Sequence, residues 1–163
     1  MEIDSERAVL LGIRPQFAED ILSGKKLWEY RRVPPKLTAE TILVLYASGD
    51  VQSIVGDCTI TEILQRPINE LMDQTIGETT STREKLQEYF SGLEIGSAIR
   101  VENPNRYVTP ISLDEIRGKV HNFVPPQNFY YLRRNDAKFD FVFSVLDSHG
   151  LSGKTSQKRV TNF

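Results

Sequence analysis

The sequence predicts an α+β fold: a small mixed β-barrel of about six strands with helices inserted between them. Three observations carry that expectation. Short apolar alternations recur at residues 8–13, 27–32, 41–47, 54–63, 97–109 and 139–145, and period-two patterning marks half-buried strands. The segments between them include helical patterns of unequal length at irregular intervals, which does not suit repeating βαβ units. The chain has 163 residues, 39% hydrophobic and 26% charged. That is the size of one domain with a large core, and a closed or nearly closed barrel suits it.

Residues 8–13, Ala-Val-Leu-Leu-Gly-Ile, read as a buried strand, and Pro15 follows where proline best opens a helix. Phe17 with Ile21 and Ala18 with Leu22 recur at i, i+4, and Gly24 supplies the left-handed residue that closes such a helix. A strand over 27–32 puts Trp28 and Tyr30 on one face and Leu27, Glu29 and Arg31 on the other. Pro34-Pro35 ends it. Strands at 41–47 and 54–63 are joined by a turn at 49–53, the second strand bent near Gly56. A short helix is expected at 67–74. Ser81 and Glu84 form a capping box ahead of the stripe Leu86, Tyr89, Phe90, Leu93, on a helix ending near Gly92. Residues 97–109 make a long strand interrupted at Asn103-Pro104-Asn105. Ser112 with Glu115 caps a helix stopped by Gly118, and Pro125-Pro126 leads a helical turn through Tyr131. Phe139, Phe141, Phe143 and Val145 alternate as a closing strand. One domain over 1–147 and a polar, basic tail over 148–163, with Lys154, Lys158 and Arg159, complete the organisation.

Composition narrows the function. Apolar runs such as Ile42-Leu43-Val44-Leu45 are far too short to span a bilayer, and the acidic start Glu2-Ile3-Asp4-Ser5-Glu6 lacks the order of a signal peptide. The single cysteine, Cys58, excludes an intrachain disulfide and fits a small buried hydrophobe. A reducing cytoplasm is the expected setting. His121 and His149 lack metal-ligand spacing, and neither a Walker-type loop nor a G-x-S-x-G element is present, so no metal or cofactor is expected.

The chemistry concentrates at Gly24-Lys25-Lys26-Leu27-Trp28-Glu29-Tyr30-Arg31, the pattern G-x-K-x-x-E-x-R at a helix-to-strand junction. Residues 24–36 carry five cations against one acid, a balance of +4 in a chain of net charge −2. Such a focus suits a small anionic or nucleotide-like ligand better than a polyanion gripped along a broad basic face. Lys26 can present an ammonium to a phosphate or carbonyl, or be an ordinary solvated lysine. Glu29 is open to three readings: acceptor for a base's amine, general base, or partner of Arg31. Arg31 offers a planar fork to Glu29 or to a phosphate. Arg14, at the end of the first strand, reaches toward the same cleft. Trp28, the only tryptophan, reads as a core residue or a stacking platform, as does Phe129-Tyr130-Tyr131 beside Arg133 and Arg134.

The motif in this setting resembles the ASCH domain family of PUA-like β-barrels. The opening strand, the proline-led helix, the strand Ile42–Tyr46, Ser53-Ile54-Val55-Gly56-Asp57 and Pro125-Pro126-Gln127-Asn128-Phe129 match family features over roughly 8–146. The resemblance implies a PUA-like barrel with a cleft beside the first helix. It also implies an RNA- or nucleotide-binding function, with Arg14, Lys26, Glu29 and Arg31 as ligand-binding residues and RNA, a nucleotide or a nucleoside as partner. The alternative it carries is a hydrolase acting on N4-acetylcytidine or on RNA, with Lys26, Glu29 and Glu78 as catalytic residues. Family amidohydrolases of that kind use a lysine and a threonine in this strand and a later glutamate. Here Glu29 stands in the threonine position, which removes the hydroxyl. A protein-interaction role is the third reading, argued only by the basic tail and surface helices.

Overall fold

The structure is a computed structural model and describes residues 2–151. Six strands form one mixed sheet: β1 Ile3–Ile13, β2 Trp28–Arg31, β3 Glu40–Ala47, β4 Ser53–Pro67, β5 Ile95–Ser112 and β6 Phe129–Arg133, in the order β2-β5-β4-β3-β1-β6. Only β1 and β3 run parallel; every other neighbour is antiparallel. Five helices accompany them: α1 Pro15–Leu22, α2 Ile68–Thr75, α3 Arg83–Tyr89, α4 Leu113–Lys119 and α5 Asp140–Ser148. No helix of the described residues is long and apolar enough to cross a membrane.

Alternation along β1 divides the core. Ala8 and Leu10 face a cluster closed by α4 and α5, through Ile116, Val142, Phe143 and Leu146. Val9, Leu11 and Ile13 face a second cluster under α1, through Ala18 and Ile21, and Cys58 is fully buried there. Burial holds the Cys58 thiol well above its ordinary pKa, with Asp57 and Glu29 adding to the effect. A third cluster packs Trp28, Tyr30 and Ala98 against Leu71, Met72, Leu86 and Phe90 of α2 and α3 and the residue that ends it.

The expected barrel, closed or nearly closed, is not closed in the structure. The sheet ends at β2 and β6, and no ladder joins those edges among the described residues. Both edge strands are short, four and five residues, and Pro34-Pro35 after β2 offers no N–H to extend a ladder. Side chains span the gap instead: Arg31 Nη1 donates to Asn128 Oδ1 at 3.1 Å, and Asn128 Nδ2 donates to the Val33 carbonyl at 3.2 Å.

Two expected elements change type. Residues 139–145 are not a strand; Ala137–Phe139 form a 3-10 turn that runs into α5. The β1 edge where a closing strand would lie is occupied by β6. With no ladder available, Val142, Phe143 and Leu146 use helical spacing to bury one face, and Asp136 caps the turn by accepting from Lys138 N. Residues 129–131 belong to β6 rather than to a helical turn, because they pair antiparallel with Val9–Leu11. The cap of α3 moves by one residue: Thr82, not Ser81, accepts from Lys85 N. The interruption expected at 103–105 is a bulge, with Asn103 at φ 54° and a register shift against β4. The segment expected as a tail lies outside the described residues from 152 onward.

Gly24 closes α1 at φ +80°, and a Cβ built there meets no atom within 4 Å. The cost of a side chain is therefore conformational alone. Gly24→Ala is expected to lower stability by about 1 kcal/mol in denaturant melts; an unchanged midpoint would show that this turn tolerates an ordinary residue.

Candidate nucleic-acid interface

The end of α1 positions the motif. The backbone N–H groups of Lys25 and Lys26 both donate to the Asp20 carbonyl at 3.0 Å. The Asp20 carboxylate accepts from Gln16 Nε2 at 3.1 Å and Thr80 Oγ1 at 2.8 Å, so the turn into β2 is pinned to the helix and to the 79–82 loop. β2 then lies against β5 with Trp28 opposite Arg100 and Glu29 opposite Ile99.

Lys26 and Glu29 are buried, at 2% and 4% exposure. The Lys26 ammonium is 3.3 Å from Glu29 Oε1 and lies over the rings of Phe17 and Tyr30, at 4.5 and 5.4 Å from their centroids. Arg31 donates to the other carboxylate oxygen, Oε2, from Nε at 3.1 Å and from Nη2 at 2.7 Å. Its Nη2 also reaches the Gly12 carbonyl at 3.0 Å. One carboxylate is thus shared by two cations, leaving a net positive charge inside the protein. Burial of that kind is tolerated only when the charges are paired and hydrogen-bonded.

Beside α1 a cleft of about 210 Å³ is bounded by Ile21, Lys26, Cys58, Arg100, Glu102 and Asn103, so two cations and one carboxylate line it. Arg100 forms its rim. Its guanidinium lies 5.3 Å from the Trp28 ring and donates to Glu78 Oε1 at 3.0 Å. The Trp28 indole N–H donates to the same oxygen at 3.2 Å. That indole bond, and then Arg100, hold the Glu78 carboxyl below its ordinary pKa although it is half exposed.

The structure brings Lys26, Glu29 and Arg31 into one bonded chain. Glu78 stands on the Trp28–Arg100 side and meets Lys26 only through the cleft wall that Arg100 shares. Arg14 is exposed at the N-cap of α1 and forms no hydrogen bond or ion pair with Lys26, Glu29 or Arg31 among the described residues. Trp28 packs in the third cluster while its N–H faces outward to Glu78. Arg134 is committed to Asp147 through two bonds of 2.8 Å, whereas Tyr130 and Tyr131 remain exposed.

Sequence reasoning missed Arg100 and the bridging part of Asn128. Arg100 carries no local signal, since only the β2–β5 register sets it across from Trp28. For Asn128 the signal was present in Pro125-Pro126-Gln127-Asn128, but its partner Arg31 is distant in the chain.

The sequence profile of the ASCH domain matches residues 11–105, a span that contains the whole motif and the cleft. The chain belongs to the ASCH domain family. This ASCH protein is 28% identical over 137 residues to an ASCH domain-containing ribonuclease of Zymomonas mobilis, a match covering 84% of this chain and 92% of that relative. Against the crystal structure of the ASCH protein from Zymomonas mobilis the TM-score is 0.78 at 28% identity, covering 87% of this chain and 96% of the other. The N-terminal domain of Staphylothermus marinus McrB superposes with a TM-score of 0.53 at 12% identity, over 88% of this chain and 98% of that one. That likeness is one of fold alone.

Proposed function

We propose that this ASCH protein binds single-stranded RNA or a nucleotide in the cationic cleft beside α1. The observation that carries the reading is the placement of Lys26 and Arg100 on one small cleft, with a buried excess of positive charge in its wall. Phosphate is the complementary group, and its affinity rests on charge. Lys26 supplies a fixed field from inside the wall, and Arg100 is the exchangeable contact at the rim, able to leave Glu78 for a phosphate. Glu29 and Arg31 bind by holding Lys26 and the cleft in place. Arg14 extends the positive surface at the N-terminus of α1. The setting is cytoplasmic, in line with one free, buried cysteine.

The ribonuclease relative favours a second reading, RNA cleavage in the same cleft. Such a reaction needs positive charge on the phosphate oxygens as the ribose hydroxyl attacks, and a proton for the leaving oxygen. Lys26 and Arg100 are the groups of suitable type, with two accessible carboxylates at hand, Glu102 on the cleft wall and Glu78 beside Arg100. Deacylation of N4-acetylcytidine has less support, because Glu29 takes the place of the hydroxyl and is already bound to two cations.

Fluorescence anisotropy with labelled single-stranded RNA tests the binding. Affinity is expected to fall as salt rises, and Arg100→Ala should weaken it and reduce the log–log salt slope by about 0.7, one phosphate contact. Trp28 emission should change on binding, since Arg100 lies on its ring. Salt-independent binding, or full affinity and slope in Arg100→Ala, would refute the assignment of this cleft.

A further inference from the structure

We propose that the protein has a second ligand site, adjoining the cationic cleft at Asn103 but different in chemistry, in which Asp57 binds a small apolar amine in the cavity between α5 and the sheet. The cavity measures about 540 Å³, within the range of small-molecule sites. Ile3, Ile42, Leu146 and Leu151 give it an apolar body, and Asp57, Asn105 and His149 a polar end. Asp57 is the only carboxylate on the wall, and no lysine or arginine lines it among the described residues. A phosphate-bearing ligand has nothing there to neutralise it. A cationic head does.

The polar end is built rather than incidental. Asp57 is buried at 6% exposure and forms no ion pair among the described residues. Tyr107 Oη donates to its Oδ2 at 2.7 Å, and Asn105 Nδ2 lies 3.5 Å from the same oxygen. Both bonds fall on Oδ2, and no protein donor reaches Oδ1 among the described residues. Asn105 Nδ2 also lies 3.1 Å from His149 Nδ1. His149 in turn stacks on Tyr107, centroids 5.8 Å apart and planes at 29°. These contacts fix the wall in one arrangement.

Desolvation raises the Asp57 carboxyl above its ordinary pKa, and the bonds from Tyr107 and Asn105, with the nearby His149, only partly offset it. A buried carboxylate with no ion-pair partner is under-compensated. An ammonium whose N–H donates to Oδ1 supplies the missing charge, and a ring or short alkyl body covers the four aliphatic side chains.

The test is calorimetric titration of the full-length protein with benzylamine, benzyl alcohol and benzoate, which share a ring and differ in head group. Benzylamine should bind saturably and more tightly than benzyl alcohol, with benzoate weakest. Asp57→Asn, which can still accept from Tyr107, should weaken benzylamine by about tenfold or more, the scale of a charge-assisted hydrogen bond, and leave benzyl alcohol unchanged. Tyr107→Phe keeps the carboxylate but removes its donor, so benzylamine should raise its melting temperature more than it raises the parent's. Equal affinity of parent and Asp57→Asn for benzylamine, benzoate binding as well as benzylamine, or no saturable binding by the parent would overturn the proposal. RNA affinity of Asp57→Asn should match the parent's. That keeps the outcome at this cavity separate from the outcome at the cationic cleft.

Discussion

Glu29→Gln is expected to destabilise the protein by about 3 kcal/mol, the scale found when one member of a buried charge pair is removed. The loss is large because Glu29 serves two cations at once. Lys26 Nζ lies 3.3 Å from one of its oxygens and Arg31 Nη2 2.7 Å from the other. Glutamine keeps the shape but leaves two positive charges without a counter-ion, one of them at 2% exposure. Lys26→Met should cost less, because Glu29 then retains Arg31 and methionine fills much of the lysine's volume beside Phe17. In Glu29→Gln the further change Lys26→Met should restore part of the loss, as one unpaired charge disappears. Denaturant melts of the two single variants and the double variant measure this coupling. Strict additivity, or a Glu29→Gln midpoint within about 0.5 kcal/mol of the parent as for surface substitutions, would show that the carboxylate is not the hub of this network. Unchanged melting with lost RNA cleavage would instead make Glu29 a catalytic group.

Gly12→Ala is expected to be comparably severe, at about 3 kcal/mol, the upper end for overpacking in a tight core. A Cβ at Gly12 would stand 2.0 Å from the Pro126 carbonyl oxygen and 3.1 Å from its carbon. Both are backbone atoms, so no side-chain rotation relieves the clash; the 125–128 segment must move. Gly12 N donates to the Asn128 carbonyl at 2.9 Å, and Arg31 bonds both the Gly12 carbonyl and the Asn128 side chain. Displacement therefore breaks the side-chain bridge between the two sheet edges and loosens Arg31's hold on Glu29. The expected readings are a lowered melting midpoint and faster amide exchange in β2 and β6. A variant that melts like the parent would mean that the close approach of 126 to β1 is not required.

What could be read from the sequence was what neighbours in the chain decide. Pro15 and Gly24 delimit α1, the alternation through Trp28–Arg31 sets Glu29 and Arg31 side by side, and Ser112 with Glu115 caps α4. The family could also be read, because the motif and its flanking elements lie within a continuous stretch. The open sheet, the helical state of 140–148 and the pairing of 129–133 depended on which sheet edge was already occupied, and local alternation carries no record of that. The same limit applies to the sites. Lys26 reads as a surface lysine until Phe17 and Tyr30 are packed over it. Arg100 acquires its position from strand register, and Asp57 and His149 meet through partners about 45–90 residues apart in the chain. Spacing within a helix or strand is fixed by backbone geometry, so residues sharing an element announce their relation. Burial and long-range charge pairing arise only when distant segments exclude water together, and here that step decided which cation is buried, which stands on the cleft wall paired to Glu78, and which carboxylate has one oxygen without a donor among the described residues.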